Sequence, residues 1–182
     1  MTFNSGAHHR HSTRLHGYDY SQDGAYFVTI CTHNHECSLG ETVGNKVVLN
    51  DSGTVVQAEW LKTAEMRPNV VLDDFAVMPN HVHGIIVIRR GTRRGTMHRA
   101  PTNERFGQPT SDTIPSIIRG FKSAVTNRIN EIRQSPGVPV WQRNYYEHVI
   151  RDEDDLNRIR EYIEFNPLRW AEDEENPNRI KL

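Results

Sequence analysis

The chain has 182 residues, 36% of them hydrophobic, and a formal net charge of -1. This length suits one domain with its own hydrophobic core and is short for two. No stretch holds the roughly 18 consecutive apolar residues of a membrane span, and the polar N-terminus lacks the apolar core of a signal peptide. We therefore expect a cytoplasmic protein that does not contact a membrane and whose two cysteines, Cys31 and Cys37, stay reduced.

Basic and acidic residues are segregated along the chain, although the net charge is small. Residues 84–145 carry 11 Lys and Arg against 3 Asp and Glu, whereas the remainder carries 11 against 20. Such a basic block indicates a polyanionic partner, because each neutralised phosphate releases counterions and adds affinity. A solvated loop whose arginines serve solubility is the alternative. The basic residues of the block that lie on its loop and on the following helix include Arg89, Arg90, Arg93, Arg94, Arg99, Arg105, Arg119, Lys122, Arg128 and Arg133.

Apolar periodicity and turn residues divide the chain into strands and helices. Strands are predicted over residues 25–32, 46–50, 70–78 and 145–150 and within 78–88, and helices over residues 53–66, 114–134 and 152–166. Asp51 and Ser52 are the expected N-cap residues of the first helix, and Pro79 with Asn80 forms the turn of a hairpin. This order predicts an α+β, ferredoxin-like sandwich with helices packed on one face of a central antiparallel sheet.

The same reading divides the chain into an arm, a domain and a tail. Residues 1–14 are expected to form a flexible His-rich N-terminal arm, residues 15–170 a single domain, and residues 171–182 a C-terminal tail.

Cys31, His33, His35 and Cys37 form a series that has the residue types of a zinc site. On an extended strand, alternate residues lie about 6.6 Å apart, whereas zinc gathers its ligands at about 2.0 to 2.3 Å. Four ligands spread along a strand exceed that reach. We therefore do not predict a zinc site from this series.

The stretch MPNHVHGIIVI, residues 78–88, places two histidines at the start of a buried strand. Side chains alternate faces along a strand, so His81 and His83 point the same way while Val82 points the other way. The two imidazoles can therefore converge on one cation. From this motif alone, a solvated or hydrogen-bonded histidine pair is the alternative.

The helix within RDEDDLNRIREYIEFNP has a buried stripe and a polar margin. Leu156, Ile159 and Ile163 form the stripe, while Tyr162 and Asn166, four residues apart, share its edge. A hydroxyl nucleophile and an amide oxygen thus lie side by side. A tyrosine at the margin of the core and an asparagine at the helix C-terminus are the alternative reading of these two residues.

Three segments in this order, GYDYSQDGAYFVTICT, MPNHVHGIIVI and WQRNYYEHVIRDEDDLNRIREYIEFNPLRW, closely resemble the REP-associated tyrosine transposases, a branch of the single-tyrosine HUH transposase superfamily. The resemblance covers about residues 14–170. It implies a ferredoxin-like core that cuts and rejoins single-stranded DNA near imperfect hairpins, with a divalent metal. It maps the histidine pair to His81 and His83, the nucleophile to Tyr162 and a third metal ligand to Asn166.

The chemistry that the resemblance implies is attack of Tyr162 on a phosphodiester, which leaves a 5′-phosphotyrosine and a free 3′-OH. Mg²⁺ and Mn²⁺ both suit an oxygen ligand, and the imidazoles favour tighter binding of Mn²⁺. Two alternatives stay open: a domesticated hairpin-binding protein that no longer cuts, and a hydrolytic metal-dependent nuclease. Monomer and homodimer are both compatible with the sequence.

The implied partner is single-stranded or hairpin DNA. Asp73 and Asp74 are candidates to orient a metal-binding imidazole. Tyr18, Tyr20 and Trp141 are candidates to stack on unpaired bases. The expected contacts to the DNA backbone are Arg89, Arg90, Arg93, Arg94, Arg119 and Lys122.

Overall fold

The computed structural model describes residues 18, 20, 22–89 and 112–179. The predicted arm, residues 1–14, lies outside them. The described strands are β1 (Gly24–Cys31), β2 (Gly40–Val43), β3 (Lys46–Leu49), β4 (Val70–Val77), β5 (His81–Ile88) and β6 (Tyr146–Ile150), and the α-helices are α1 (Asp51–Glu65), α2 (Ile114–Ile132) and α3 (Glu153–Phe165). Single turns of 3-10 helix lie at His33–His35 and Trp170–Glu172. Within the described ranges, none of the helices combines the length and the apolar character needed to cross a bilayer.

The main sheet has four antiparallel strands in the order β4-β5-β1-β6. Along the chain, α1 precedes β4, and α2 connects β5 to β6. This β-α-β-β-α-β path is the ferredoxin-like topology. The predicted α+β class is confirmed, and the strand that carries the histidine pair is central in the sheet.

The two faces of the sheet are covered by different helices. Val28 of β1 belongs to the main core together with Trp60 of α1 and side chains of α2. On the other face, Phe27 and Ile85 pack against Ile163 of α3. The prediction that helices lie on one face was therefore wrong. Because the central strands are apolar on both faces, each face requires a helical cover.

Trp60 of α1 packs directly on the strand that carries the histidines. A Cβ atom at Gly84 would lie 2.2 Å from Cζ2 of Trp60, so a side chain at this position would displace the indole ring. Trp60 is fully buried, and burying a side chain of this size contributes on the order of 3 kcal/mol. This contact helps to fix the position of β5 against α1.

The start of α1 differs from the prediction. Asn50, rather than Asp51 or Ser52, is the N-cap, and its side chain accepts a hydrogen bond from the backbone N–H of Gly53 at 3.1 Å. The helix therefore begins two residues earlier than predicted. A further difference is β2, a strand that was not predicted and that pairs with β3 in a separate two-stranded sheet.

Candidate active site

Side chains from β5, from α3 and from the segment that follows α3 meet on the sheet face covered by α3. His81 and His83 are buried, and their ring centroids lie 4.2 Å apart. One ligand atom from each histidine and one carboxylate oxygen of Asp173 all lie within 4.8 Å of one another. The structure thus brings the predicted histidine pair together and adds Asp173, which lies in the segment predicted to be a tail.

Tyr162 reaches this cluster from the edge of α3. Its hydroxyl lies 3.2 Å from Nε2 of His83, and the two ring centroids are 5.0 Å apart. The Tyr162 ring also meets the edge of Phe27 at a centroid distance of 6.0 Å. Because Tyr162 remains 44% exposed, the hydroxyl lies at the boundary between the buried histidines and solvent.

Asn166, one helical turn after Tyr162, is buried beside Asp173. Its Nδ2 donates a hydrogen bond to Oδ2 of Asp173 at 2.5 Å, which leaves Oδ1 of Asn166 buried without a hydrogen-bond partner among the described residues. Nε2 of His81 is also buried and has no partner within the described part of the chain. Buried acceptors without partners are costly, and a bound cation would satisfy both.

Hydrogen bonds at Nδ1 orient both imidazoles and fix the tautomer of His81. Nδ1 of His81 lies 2.8 Å from Oδ1 of Asn80, an oxygen that only accepts, so the proton is on Nδ1. Nδ1 of His83 lies 2.9 Å from Oγ1 of Thr29. Both partners of the His83 ring, the hydroxyls of Thr29 and Tyr162, can donate or accept. Nε2 of His81 carries a lone pair, which is the form that binds a metal.

Asn80 connects three segments of the site. Its fully buried side chain donates through Nδ2 to the carbonyl of His35 at 3.1 Å and to the carbonyl of Glu175 at 2.6 Å. These bonds also fix the orientation of the amide, so that Oδ1 faces His81. The sequence predicts only a turn at Asn80, whereas in the structure its side chain holds the segment after α3 against β5.

The two imidazoles are neutral at neutral pH. Burial lowers the pKa of His81 to about 4, against a smaller opposing effect of the Asp173 charge. Burial and the neighbouring His81 lower the pKa of His83 well below its usual range. Neither ring must therefore lose a proton before it binds a cation.

The phenol of Tyr162 keeps its proton at neutral pH. Burial raises the pKa of Tyr162, and the negative charges of Asp173, Glu175 and Glu174 raise it further. A cation next to the hydroxyl would oppose these effects, because an opposite charge favours the ionised form. A cation at this position would therefore lower the pKa of the Tyr162 hydroxyl.

Asp73 does not orient either imidazole, so that prediction was wrong. Its carboxylate binds Arg160 of α3, with Nε to Oδ1 at 3.0 Å and Nη2 to Oδ2 at 2.6 Å. Asp74, also considered for this role, is exposed. The register of β4 against β5 shifts between Leu72 and Phe75, and this irregularity contains both aspartates. The Asp73 pair ties α3 to β4, whereas Thr29 and Asn80 orient the histidines.

The residues predicted to contact DNA are only partly described. Arg89, at the end of β5, and Arg119, on α2, are exposed. Arg90, Arg93 and Arg94 lie outside the described residues, as do Arg99 and Arg105.

Lys122 is engaged within the protein. Its ammonium donates to the backbone carbonyls of residues 142, 143 and 144 at 2.6, 3.4 and 3.0 Å. Burial lowers the pKa of Lys122 to about 8. Since an ammonium has three donors, these contacts use its hydrogen-bonding capacity to hold the connection between α2 and β6.

The aromatic residues considered as stacking platforms pack inside the protein. Tyr20 and Trp141 are buried and belong to the main core, so their faces are not available to stack on bases. Tyr18 packs against that core and meets Tyr20 edge to face at a centroid distance of 4.9 Å. These rings stabilise the fold, as most aromatic side chains do.

Known proteins provide three relevant comparisons, although no protein-family model matches the chain. A Haemophilus influenzae protein described as "Uncharacterized protein" is 43% identical over 176 residues, which cover 94% of this chain and 96% of the relative. A second protein of that organism, "Putative REP-associated tyrosine transposase", is 25% identical over 151 residues, 83% of this chain and 74% of the relative. Among solved structures, a REP-associated tyrosine transposase bound to a REP hairpin is similar with a TM-score of 0.59 at 22% identity, covering 86% of this chain and 73% of that one. The structural likeness confirms the fold.

Proposed function

We propose that the chain is a REP-associated tyrosine transposase, as its similarity to a relative of that description supports, and that it nicks single-stranded DNA beside hairpins and transfers the strand through a covalent tyrosine intermediate. The observation that carries this proposal is the convergence of the Tyr162 hydroxyl on the buried pair of His81 and His83. A nucleophile within hydrogen-bond reach of metal-binding groups is the arrangement that covalent phosphoryl transfer requires.

The side chains of the site fit a divalent cation. His81 Nε2 and Asn166 Oδ1 are buried without hydrogen-bond partners among the described residues, and Asp173 adds a carboxylate beside the histidine pair. This set of imidazoles and oxygens suits Mn²⁺ or Mg²⁺. When bound, such a cation stabilises the negative charge that develops on the phosphoryl oxygens.

Nε2 of His83 can contact either the Tyr162 hydroxyl or a cation. In this structure it lies 3.2 Å from the hydroxyl oxygen. Tyr162 is 44% exposed, so its ring can turn toward solvent without opening the core. We infer that this change releases the histidine as a ligand and presents the hydroxyl to a phosphate.

The proposed step is attack of Tyr162 Oη on the phosphorus of a DNA phosphodiester. The Oη–P bond forms and the P–O3′ bond breaks. The phenol proton passes to solvent, and the leaving 3′ oxygen takes up a proton. The products are a 5′-phosphotyrosine and a free 3′-OH, so the ester energy is retained and rejoining needs no ATP.

The proposed partner is hairpin DNA with an adjoining single strand. The related transposase of known structure is bound to a REP hairpin. In this chain, Arg89 and Arg119 are exposed, and the sequence over residues 90–111 contributes further arginines. Binding through these side chains should weaken steeply with salt, because each phosphate contact releases counterions.

One assay separates the proposed activity from the two alternatives. The full chain is incubated with an end-labelled single-stranded hairpin oligonucleotide, with and without Mn²⁺, and resolved under denaturing conditions. A labelled protein band that requires the metal supports the strand-transferase. Salt-dependent binding without a band or cleavage indicates a domesticated binding protein, and cleavage without a band indicates a hydrolytic nuclease.

A further inference from the structure

A second cluster of metal-binding side chains lies beside the candidate active site. Sγ of Cys31 lies 3.3 Å from Oε2 of Glu175, and Nδ1 of His35 lies 3.0 Å from the same oxygen. The three ligand atoms all lie within 4.8 Å of one another. Cys31 comes from the end of β1, His35 from the 3-10 turn, and Glu175 from the segment after α3.

The path of the chain after β1 explains how Cys31 and His35 meet. The strand ends at Cys31, and the 3-10 turn at His33–His35 follows. Asn34 and His35 have φ values of 55° and 56°, a left-handed conformation uncommon for residues other than glycine. Asn80 holds this turn through the carbonyl of His35. The extended geometry that argued against zinc for this series therefore does not apply to Cys31 and His35.

Two of the three separations between the ligand atoms are close to those around a tetrahedral zinc ion. Zinc bonds of about 2.0 to 2.3 Å place neighbouring ligand atoms about 3.3 to 3.6 Å apart. The two observed separations, 3.3 and 3.0 Å, need adjustments of only a few tenths of an ångström. His35 and Glu175 are partly exposed, so a water molecule can reach a fourth position.

The charges of the three side chains also balance a divalent ion. A thiolate, a carboxylate and a neutral imidazole carry two negative charges, which compensate Zn²⁺ in a partly buried place. Without metal, the buried Cys31 thiol donates to Glu175, and burial together with the Glu175 charge raises the pKa of Cys31. On binding, the S–H bond breaks, its proton goes to solvent and the S–Zn bond forms.

We propose that Cys31, His35 and Glu175 form a zinc site distinct from the cluster of His81, His83 and Asp173. Thiolate and imidazole ligands favour Zn²⁺ over Mg²⁺ and Mn²⁺, whereas the other cluster contains no sulfur. The backbone N–H of Glu175 donates to Oδ1 of Asp173 at 2.7 Å. Zinc at the new site therefore holds the segment that carries Asp173 against the end of β1.

Cobalt titration of the full chain tests this site, because Co²⁺ replaces Zn²⁺ and a thiolate ligand gives a sulfur-to-cobalt charge-transfer band. The band should reach its maximum at one equivalent of Co²⁺ and disappear on addition of Zn²⁺. Cys31→Ser should abolish the band, whereas Cys37→Ser, at the exposed cysteine, should keep it. No band in the unmodified protein, or a band that persists in Cys31→Ser, would overturn the proposal.

Two further variants test whether loss of the band comes from misfolding and whether the metal is bound at another site. Glu175→Gln changes a partly exposed side chain and should weaken Co²⁺ binding at least tenfold. An unchanged affinity in this variant would also overturn the proposal. His81→Asn removes a ligand of the other cluster and should keep the charge-transfer band, so the zinc site and the proposed strand transfer can fail independently. Loss of the band in His81→Asn would show that the two clusters form one site and contradict the proposal.

Discussion

The hydroxyl of Tyr162 lies 3.2 Å from Nε2 of His83, so the candidate nucleophile and a candidate metal ligand are hydrogen-bonded to each other. Nδ1 of His83 is held by Thr29 at 2.9 Å. A cation that binds this imidazole through Nε2 therefore has to displace the hydroxyl. Tyr162 should consequently oppose metal binding while being required for the chemistry.

Tyr162→Phe is expected to bind Mn²⁺ at least as tightly as the unmodified protein. The gain should be up to about fivefold, because the cation no longer displaces a hydrogen bond worth about 1 kcal/mol. Calorimetric titration with Mn²⁺ measures the affinity. Tyr146→Phe is the matched control, since Tyr146 also contacts Phe27 but is not bonded to His83. Tenfold weaker binding of Mn²⁺ in Tyr162→Phe would show that the Tyr162 hydroxyl does not compete with the cation for His83.

Asn80→Asp should impair both folding and metal binding. The substitution replaces the Nδ2 donor with an oxygen that faces the carbonyls of His35 and Glu175. We expect a loss of about 1 to 3 kcal/mol in the free energy of unfolding and of about 10- to 100-fold in Mn²⁺ affinity. Urea denaturation and calorimetry measure the two losses. Asn127→Asp on the exposed surface of α2 is the control, and equal behaviour of the two variants would show that Asn80 has no positioning role.

Asp173→Asn tests whether the carboxylate found beside the histidines binds the cation. The amide preserves the size of the side chain but removes its negative charge. We expect Mn²⁺ affinity to fall at least tenfold, because two neutral imidazoles and the Asn166 amide cannot compensate the charge of the ion. Glu174→Gln changes a neighbouring side chain that is 89% exposed and should have little effect. Equal losses in both variants would indicate a long-range charge effect instead of ligation.

Acid should destabilise the fold through the buried histidines. The pKa of His81 falls from 6.5 to about 4 on folding, chiefly because of burial. Between these values the unfolded chain binds more protons than the folded one, so the free energy of unfolding decreases as the pH falls from 6.5 toward 4. From pH 7 to pH 5, His81 alone should account for a loss of about 2 kcal/mol. Urea denaturation of the protein and of His81→Gln at both pH values measures this, and an unchanged pH dependence in the variant would contradict it.

Two parts of the site, the histidine pair of β5 and the polar edge of α3, could be predicted because each depends on a short-range sequence pattern. The alternation along β5 places His81 and His83 on one face, and helical spacing places Tyr162 and Asn166 on one edge of α3. Asp152 caps α3, and its side chain accepts from the backbone N–H of residue 155, three positions along the chain. These relationships span only a few residues and follow from strand and helix geometry.

The remaining partners could not be predicted because they come from distant or irregular segments. Asp173 lies in the acidic stretch AEDEENPN, where no periodicity distinguishes the carboxylate that turns back toward the histidines. The role of Asn80 depends on carbonyls of residues 35 and 175, which only the tertiary fold brings together. The carboxylate of Asp73 is of the type that could orient an imidazole, but it instead makes a bidentate contact with Arg160. That contact depends on where α3 packs.

The central claim is that Tyr162 forms a covalent bond with DNA, and adduct formation tests it most directly. The unmodified protein, Tyr162→Phe and Tyr146→Phe are each incubated with an end-labelled single-stranded hairpin oligonucleotide and Mn²⁺. The intact mass of the adduct and the labelled protein band on a denaturing gel are then measured. We predict an adduct with the unmodified protein and with Tyr146→Phe, and none with Tyr162→Phe even though it still binds the hairpin. An adduct of undiminished yield with Tyr162→Phe would contradict the account.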